Sequence, residues 1–303
     1  MPHSKDTMIY HASMVGFALL ISGSFPIGTV ISNRIDPIAL TFMRFLIAAI
    51  ILGISLIISG KMRRQYLKKP WRFILLGASF SFYFVFMFEA LKTASPVATA
   101  SIFTLLPFLA LILDFIIFGN RAGIRLVIYL LIGALGTFIV IFKGLFENFV
   151  ILNIDYGEML FFAGTIIHAV YAVLVPKMRE GEPAQVVTFA VMAGAAVVLC
   201  VLFPHRIIAT DWMNLDADIY VSLLYLSVFA SIFSLILLTK ASEHLSSAHF
   251  TAYTFSTPFW VAILDYTFLG HPVEAYVLYG GAFILLSLIL LFLHSERLSQ
   301  RLS

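Results

Sequence analysis

The sequence predicts an all-α polytopic membrane protein, ten transmembrane helices arranged as two inverted five-helix repeats, and three observations carry that prediction. Hydrophobic residues make up 61% of the 303-residue chain and charged ones only 12%, against roughly 25% charged in soluble domains. A water-facing surface would be starved of charge, so the solvent is a bilayer. The apolar residues gather into ten runs, each near the roughly 20 residues that a helix needs to cross hydrocarbon. Finally, Pro107-Phe108-Leu109-Ala110-Leu111-Ile112-Leu113-Asp114-Phe115 returns 151 positions later as Pro258-Phe259-Trp260-Val261-Ala262-Ile263-Leu264-Asp265-Tyr266. Extended to Gly119 and Gly270, the copies share Pro, Phe, Ile, Leu, Asp and Gly. An ionised carboxylate in hydrocarbon is costly, so its double appearance marks duplication rather than composition.

The runs lie near 10–32, 38–59, 71–91, 97–118, 124–143, 157–176, 184–204, 218–239, 247–269 and 274–294. The first, Tyr10 to Ile31, is too long for a secretory signal core and no small-x-small cleavage site follows it, so it stays as the first span. Each run must be a helix, because backbone groups in lipid need partners within the segment and no barrel-like alternation is present. Asp36-Pro37, Lys69-Pro70, Ser95-Pro96, Glu182-Pro183 and His271-Pro272 punctuate the connections. The lone Cys200, in an apolar stretch, reads as a buried inert thiol.

Placing the N-terminus in the cytoplasm leaves only Arg34, Lys92, Lys143 and Arg206 in outer loops and Arg44 inside a span, so the other 14 of the 19 Lys and Arg fall inside. That split predicts a cytoplasmic (inner) membrane protein with both termini cytoplasmic. Five runs occupy residues 10–143 and five occupy 157–294. Because five is odd, the second repeat is inverted relative to the first. Two such halves can open a shared cavity to either side in turn, which is how secondary transporters are commonly built.

Local phrases carry a family resemblance. Leu40-Thr41-Phe42-Met43-Arg44-Phe45 is similar to the arginine-bearing second span of EamA-type members of the drug/metabolite transporter superfamily. The stretch Phe88-Glu89-Ala90-Leu91-Lys92-Thr93-Ala94-Ser95-Pro96-Val97-Ala98 resembles their junction between spans three and four, and both Pro-Phe phrases resemble their P-[LVF]-[FW] segments. The resemblance runs from Tyr10 to about His294. It implies a carrier of small organic solutes with a central cavity lined by spans 1, 3, 4, 6, 8 and 9. Where that family has Glu after Phe/Leu-Gly, this chain has Asn120 and His271, with Asp114 and Asp265 six residues earlier.

Arg44 is the one basic residue at hydrophobic depth, where lipid exposure costs about 3 kcal/mol or more, so it must face protein or water. Glu89 and Asp265 sit at comparable depth and are candidates to neutralise it; contact with an anionic solute group is the other reading. Asp114 and Asp265 are candidates for gating contacts or for proton coupling, since a carboxylate in a low-dielectric setting exchanges protons near neutrality. His168, with Tyr171 on the same helix face, reads as a core residue or a cavity-lining one. Tyr83, Tyr253 and Trp260 are the aromatic residues expected on the cavity walls, which favour a planar or aromatic solute, a vitamin such as riboflavin or an amino acid, over a sugar phosphate. Pro26, Pro107 and Pro258 interrupt helices one, four and nine, marking a binding site or a packing kink. Gly16, Gly23, Ser24, Gly133, Gly136, Ser227, Ser231 and Ser234 read as small residues for close helix approach.

No H-E-x-x-H, no G-x-S-G-type serine segment and no G-x-x-x-x-G-K-[ST] loop is present, so the sequence is read as neither an intramembrane enzyme nor an ATP-driven pump. No basic arm suggests nucleic acid. No cofactor and no metal is expected, because nothing supplies further ligands around His168. The expected partners are the lipid bilayer and a small-molecule solute, with a second copy of the chain as a candidate homodimer. Drug or amino-acid efflux is the alternative direction, and a channel the alternative class.

Overall fold

The computed structural model describes residues 3–94, 96–141, 155–269 and 275–302, which contain helices and no strand. Ser95, Lys143, Gly270, His271, Pro272 and the side chain of Asp265 lie outside the described residues. In chain order the helices are α1 (His3–Ser22), α2 (Ser24–Ile31), α3 (Pro37–Ile58), α4 (Pro70–Ala90), α5 (Pro96–Phe103), α6 (Leu106–Phe118), α7 (Ile124–Ile141), α8 (Tyr156–Met178), α9 (Ala184–Leu202) and α10 (Pro204–Ile208). They continue as α11 (Ala217–Ser227), a π-helical segment (Val228–Phe233), α12 (Ser234–Ala241), α13 (Ser247–Thr251), a 3-10 turn (Ala252–Ser256), α14 (Thr257–Leu269) and α15 (Ala275–Leu302). Asp36 starts α3 as an N-cap: its Oδ1 accepts from the amides of Ile38 at 2.9 Å and Ala39 at 3.1 Å, while Pro37 takes the first position, where no amide is needed.

Among the described residues, seven helical segments are long and apolar enough to cross a bilayer: 8–31, 37–58, 70–90, 156–178, 184–202, 217–241 and 275–294. The other three expected runs are helical but depart from a simple rod. The run near 97–118 breaks at Thr104 and Leu105, and the run near 247–269 passes through a 3-10 turn. Pro107 and Pro258 sit at the start of the helices that resume, and each removes the amide that would bond a carbonyl one turn earlier. Of the run near 124–143, residues 124–141 are described and form α7. Helix one breaks at Gly23, three residues before Pro26.

The outward faces carry large apolar side chains such as Ile54, Ile57, Ile116 and Leu285. Small hydroxylated residues are turned inward, as at Thr41, Thr165 and Ser227, whose hydroxyls return to the carbonyls four residues back. That arrangement suits lipid solvent, in which helices associate by packing and not by a hydrophobic drive. Cys200 corrects one expectation: it is exposed on α9, because that part of the helix faces outward.

The close pairs are α4 with α8 and α9, α3 with α9, and α7 with α15. At the α4–α9 crossing a Cβ on Gly77 would stand 2.4 Å from the Ala195 amide nitrogen, so only glycine lets the two backbones meet there. Gly77→Val is expected to cost about 1–3 kcal/mol through overpacking and to lower the melting temperature in detergent. Gly123→Ala, with nothing within 4 Å, should leave it unchanged.

Candidate functional site

Within the bundle a cavity of about 20 Å³ lies between Phe17, Ile21, Ser24 and Phe25 of helix one, Phe80, Tyr83, Phe84 and Met87 of α4, Phe103 of α5, His168 of α8, and Ala230 and Ser234 of the π-helical region. That is room for about one water. His168 is its polar centre. The imidazole is packed among rings: Tyr83 at 4.3 Å between centroids, Phe103 at 5.5 Å, and Phe80 and Tyr171 at 5.8 Å each. Both of its nitrogens are buried without a hydrogen-bond partner, and so is the hydroxyl of Ser24.

The backbone is irregular where these side chains are presented. Ser24 follows the break at Gly23, Phe103 precedes the break at Thr104, and Ala230 lies in the π-helical segment. Tyr225, from α11, donates its hydroxyl to the Leu20 carbonyl at the first break. In the π segment the Ser234 amide reaches back to the Phe229 carbonyl. The Ala230 carbonyl takes Arg44 Nη2 at 2.8 Å and the Ser234 hydroxyl at 2.8 Å.

Arg44 is fully buried, and its Nε donates to Ser231 Oγ at 2.6 Å. Its guanidinium carbon stands 3.8 Å from the centroid of Phe84, a cation over a ring face. Phe84 and Ala230 separate it from the cavity, while its Nη1 has no hydrogen-bond partner. The expected neutralisation by Glu89 does not occur. Glu89 lies at the half-exposed end of α4, where both carboxylate oxygens bond Lys92 at 3.0 and 2.9 Å, a cheaper site for two charges than the interior. Ser231 and Ser234, expected only to permit close packing, are instead a ligand of Arg44 and a cavity wall.

The other expected residues are dispersed. Tyr171 is buried, stacked on His168 and tilted against Phe80, behind the cavity wall. Tyr253 bonds His11 Nδ1, and Trp260 packs against Phe259 with its indole nitrogen buried and unpartnered. Neither lines the cavity, so its walls come from spans one, three, four, six and eight and not from span nine. Asp114 is half-buried and accepts from Asn120 Nδ2 at 2.9 Å.

Ion pairs join helices at both ends of the bundle. At the end where α1 begins, Arg72 of α4 meets Glu182 at 2.7 Å with side chains only 5% and 2% exposed, and its Nη1 donates to the Met178 carbonyl. Arg179 bonds the carbonyls of Glu182 and Thr239 and pairs with Glu243 at 2.8 Å. Burial alone would raise the Glu182 pKa; the backbone amides of Glu180 and Glu182 and the Arg72 guanidinium outweigh it and hold the carboxyl below the ordinary 4.5. At the opposite end Arg34 binds Asp218 and Asp216, and Arg206 binds Asp36, all partly exposed. Bonding to Asp218, then Asp216, raises the Arg34 pKa. The Arg72–Glu182 latch was not foreseen: the residues are 110 positions apart, and each reads alone as a loop charge.

A model of the EamA-like transporter family matches residues 8–142 and 155–293. The chain is 23% identical over 280 residues to the uncharacterized transporter YyaM of Bacillus subtilis (strain 168), covering 91% of each chain. It is 25% identical over 272 residues to an uncharacterized transporter of Archaeoglobus fulgidus, covering 87% of this chain and 90% of that one. A crystal structure 19% identical in sequence superposes with a TM-score of 0.71, over 97% of this chain and 99% of the other, a likeness of fold.

The latch has a direct test. Removing one partner of a buried pair strands the other, at a cost of about 3–5 kcal/mol, so Glu182→Ala should lower the melting temperature far more than Arg34→Ala at the exposed set. Because the Glu182 pKa is lowered in the folded state, its contribution is fully present above the ordinary value and fades only as pH falls through the depressed one. Denaturation curves of wild type and Glu182→Gln should therefore converge only below pH 4.5.

Proposed function

Because this chain belongs to the EamA-like transporter family, we propose that it is a secondary carrier that moves a small organic metabolite across the cytoplasmic membrane by alternating access. The carrying observation is the central cavity, with ion pairs joining the helices at either end of the bundle and with polar groups that no atom of the described residues satisfies. Two five-helix halves, residues 10–143 and 157–294, are mounted head to tail. The family model matching in two segments supports this, and so does helix direction. α8 starts with Gly157 against Ala90 and Thr93 at the far end of α4, and finishes with Met178 beside Arg72. The second half thus enters from the end opposite to the first. The crowding of Lys and Arg at the Arg72 end supports placing that end, and both termini, in the cytoplasm.

Transport then consists of parting one set of ion pairs while the other holds. The outer set is exposed and weakened by salt; the Arg72–Glu182 latch is buried and buttressed. The occluded carrier opens outward first. Asp114 with Asn120, and Asp265 in the second copy, act as gate contacts at the ends of the broken helices. The aromatic walls favour a flat solute, such as a vitamin of the riboflavin kind.

Reconstituted vesicles test this. A substrate found by thermal-stabilisation screening should show saturable uptake and accelerated exchange against internal substrate; ohmic conductance, or no exchange for any stabilising solute, overturns the carrier. Asp114→Asn should leave the pH profile of flux unchanged if the residue only gates, and flatten it if the carboxylate carries protons.

A further inference from the structure

The cavity that gives the carrier its solute also constrains what that solute is, and the constraint rests on the reading of the chain as a carrier. Every residue lining it is uncharged. Arg44 lies behind Phe84 and Ala230, with Nε and Nη2 committed to Ser231 and Ala230; its unpartnered Nη1 is not part of the cavity lining. A carboxylate or an ammonium brought into such a box would surrender its hydration with no counter-charge to meet it.

What the box does offer is unmet hydrogen bonding. His168 is 2% exposed and Ser24 is 2% exposed; both line the cavity, and all three of their polar side-chain atoms lack partners. A neutral imidazole donates from one nitrogen and accepts at the other, and a hydroxyl does both. Leaving buried polar groups unpaired is costly, and a ligand carrying matching groups recovers that cost. The rings of Tyr83 and Phe103, stacked at 23° and 5.6 Å between centroids, and of Phe80 supply flat apolar faces beside them.

We propose that the solute buried in this cavity is an uncharged planar heterocycle presenting adjacent donor and acceptor atoms, as in a lactam or imide edge, with His168 as the residue that selects it and Ser24 as its second contact. Zwitterionic amino acids, carboxylates and aromatic cations are rejected for lack of a counter-charge. The cavity must widen from its occluded size to admit such a molecule. Three of its walls adjoin backbone interruptions, at Gly23, at Thr104 and Leu105, and in the 228–233 π segment, where helix pieces can pivot without breaking a continuous ladder.

The test uses the purified full chain and matched probes of similar shape: thymine, 2-quinolone and theophylline as uncharged donor–acceptor heterocycles, quinoline-2-carboxylate as anion, N-methylquinolinium as cation, naphthalene as an edgeless ring pair, and tryptophan as zwitterion. At least one uncharged heterocycle should raise the melting temperature in a saturable way, and the charged probes and naphthalene should not. His168→Phe should weaken that response at least about tenfold and Ser24→Ala by less, while His168→Gln, which keeps a donor and an acceptor, retains most of it. If His168→Phe does not fold, His168→Gln and Ser24→Ala decide. Stabilisation by charged probes only, by none of the uncharged heterocycles, or equally in wild type and His168→Phe overturns the proposal. Saturable vesicle exchange of a charged solute would overturn it while leaving the carrier standing; absence of exchange for every solute would remove the carrier itself.

Discussion

A backbone carbonyl that has lost its helical partner survives at membrane depth only where protein encloses it and supplies another donor. That requirement organises this molecule. The Ala230 carbonyl in the π-helical segment is met by the Arg44 guanidinium and by the Ser234 hydroxyl, and the Leu20 carbonyl near the break in helix one is met by Tyr225. Arg44 in turn needs the site, because a cation in lipid has no other shelter. One interaction thus fixes α3 against span eight and makes an irregular stretch of helix tolerable beside the cavity.

The ends of the bundle are handled differently from its middle. Charges appear there in networks, and burial differs between the two ends: Arg72 and Glu182 are almost wholly enclosed, whereas Arg34 keeps a third of its side chain in solvent. A pair shielded from salt resists separation, and a screened one yields. The two ends therefore differ in how far salt weakens their pairs. The middle holds the Arg44 guanidinium behind Phe84 and Ala230, while the cavity itself is lined by uncharged residues, among them the unpartnered His168 and Ser24.

Much of the fold was legible because lipid imposes simple rules. Run length, low charge and the proline positions follow from the cost of exposing backbone or charge to hydrocarbon, and helix interruptions occur near Pro26, Pro107 and Pro258. The site was legible in part. His168, Tyr83 and Arg44 stood out as polar or amphipathic groups in apolar runs. Tyr253 and Trp260 looked the same by composition, yet they lie on a helix that the cavity does not reach. Ser24 and Ser234 were passed over because a serine in a membrane helix ordinarily bonds its own backbone and reports nothing about its surroundings.

The sequence by itself determined the solvent of the chain, its helical class, the recurrence of the Pro-Phe phrase, and the expectation of buried charge at Arg44, since each depends only on composition and local spacing. Only the tertiary structure decided which partner Arg44 takes, that Glu89 turns to Lys92 instead, that Arg72 and Glu182 meet across 110 residues, and that His168 and Ser24 face one small space. Those outcomes depend on the rotation of each helix about its axis and on where neighbouring helices cross. A one-residue change in rotational register, about 100°, would have assigned every one of these side chains to a different neighbour.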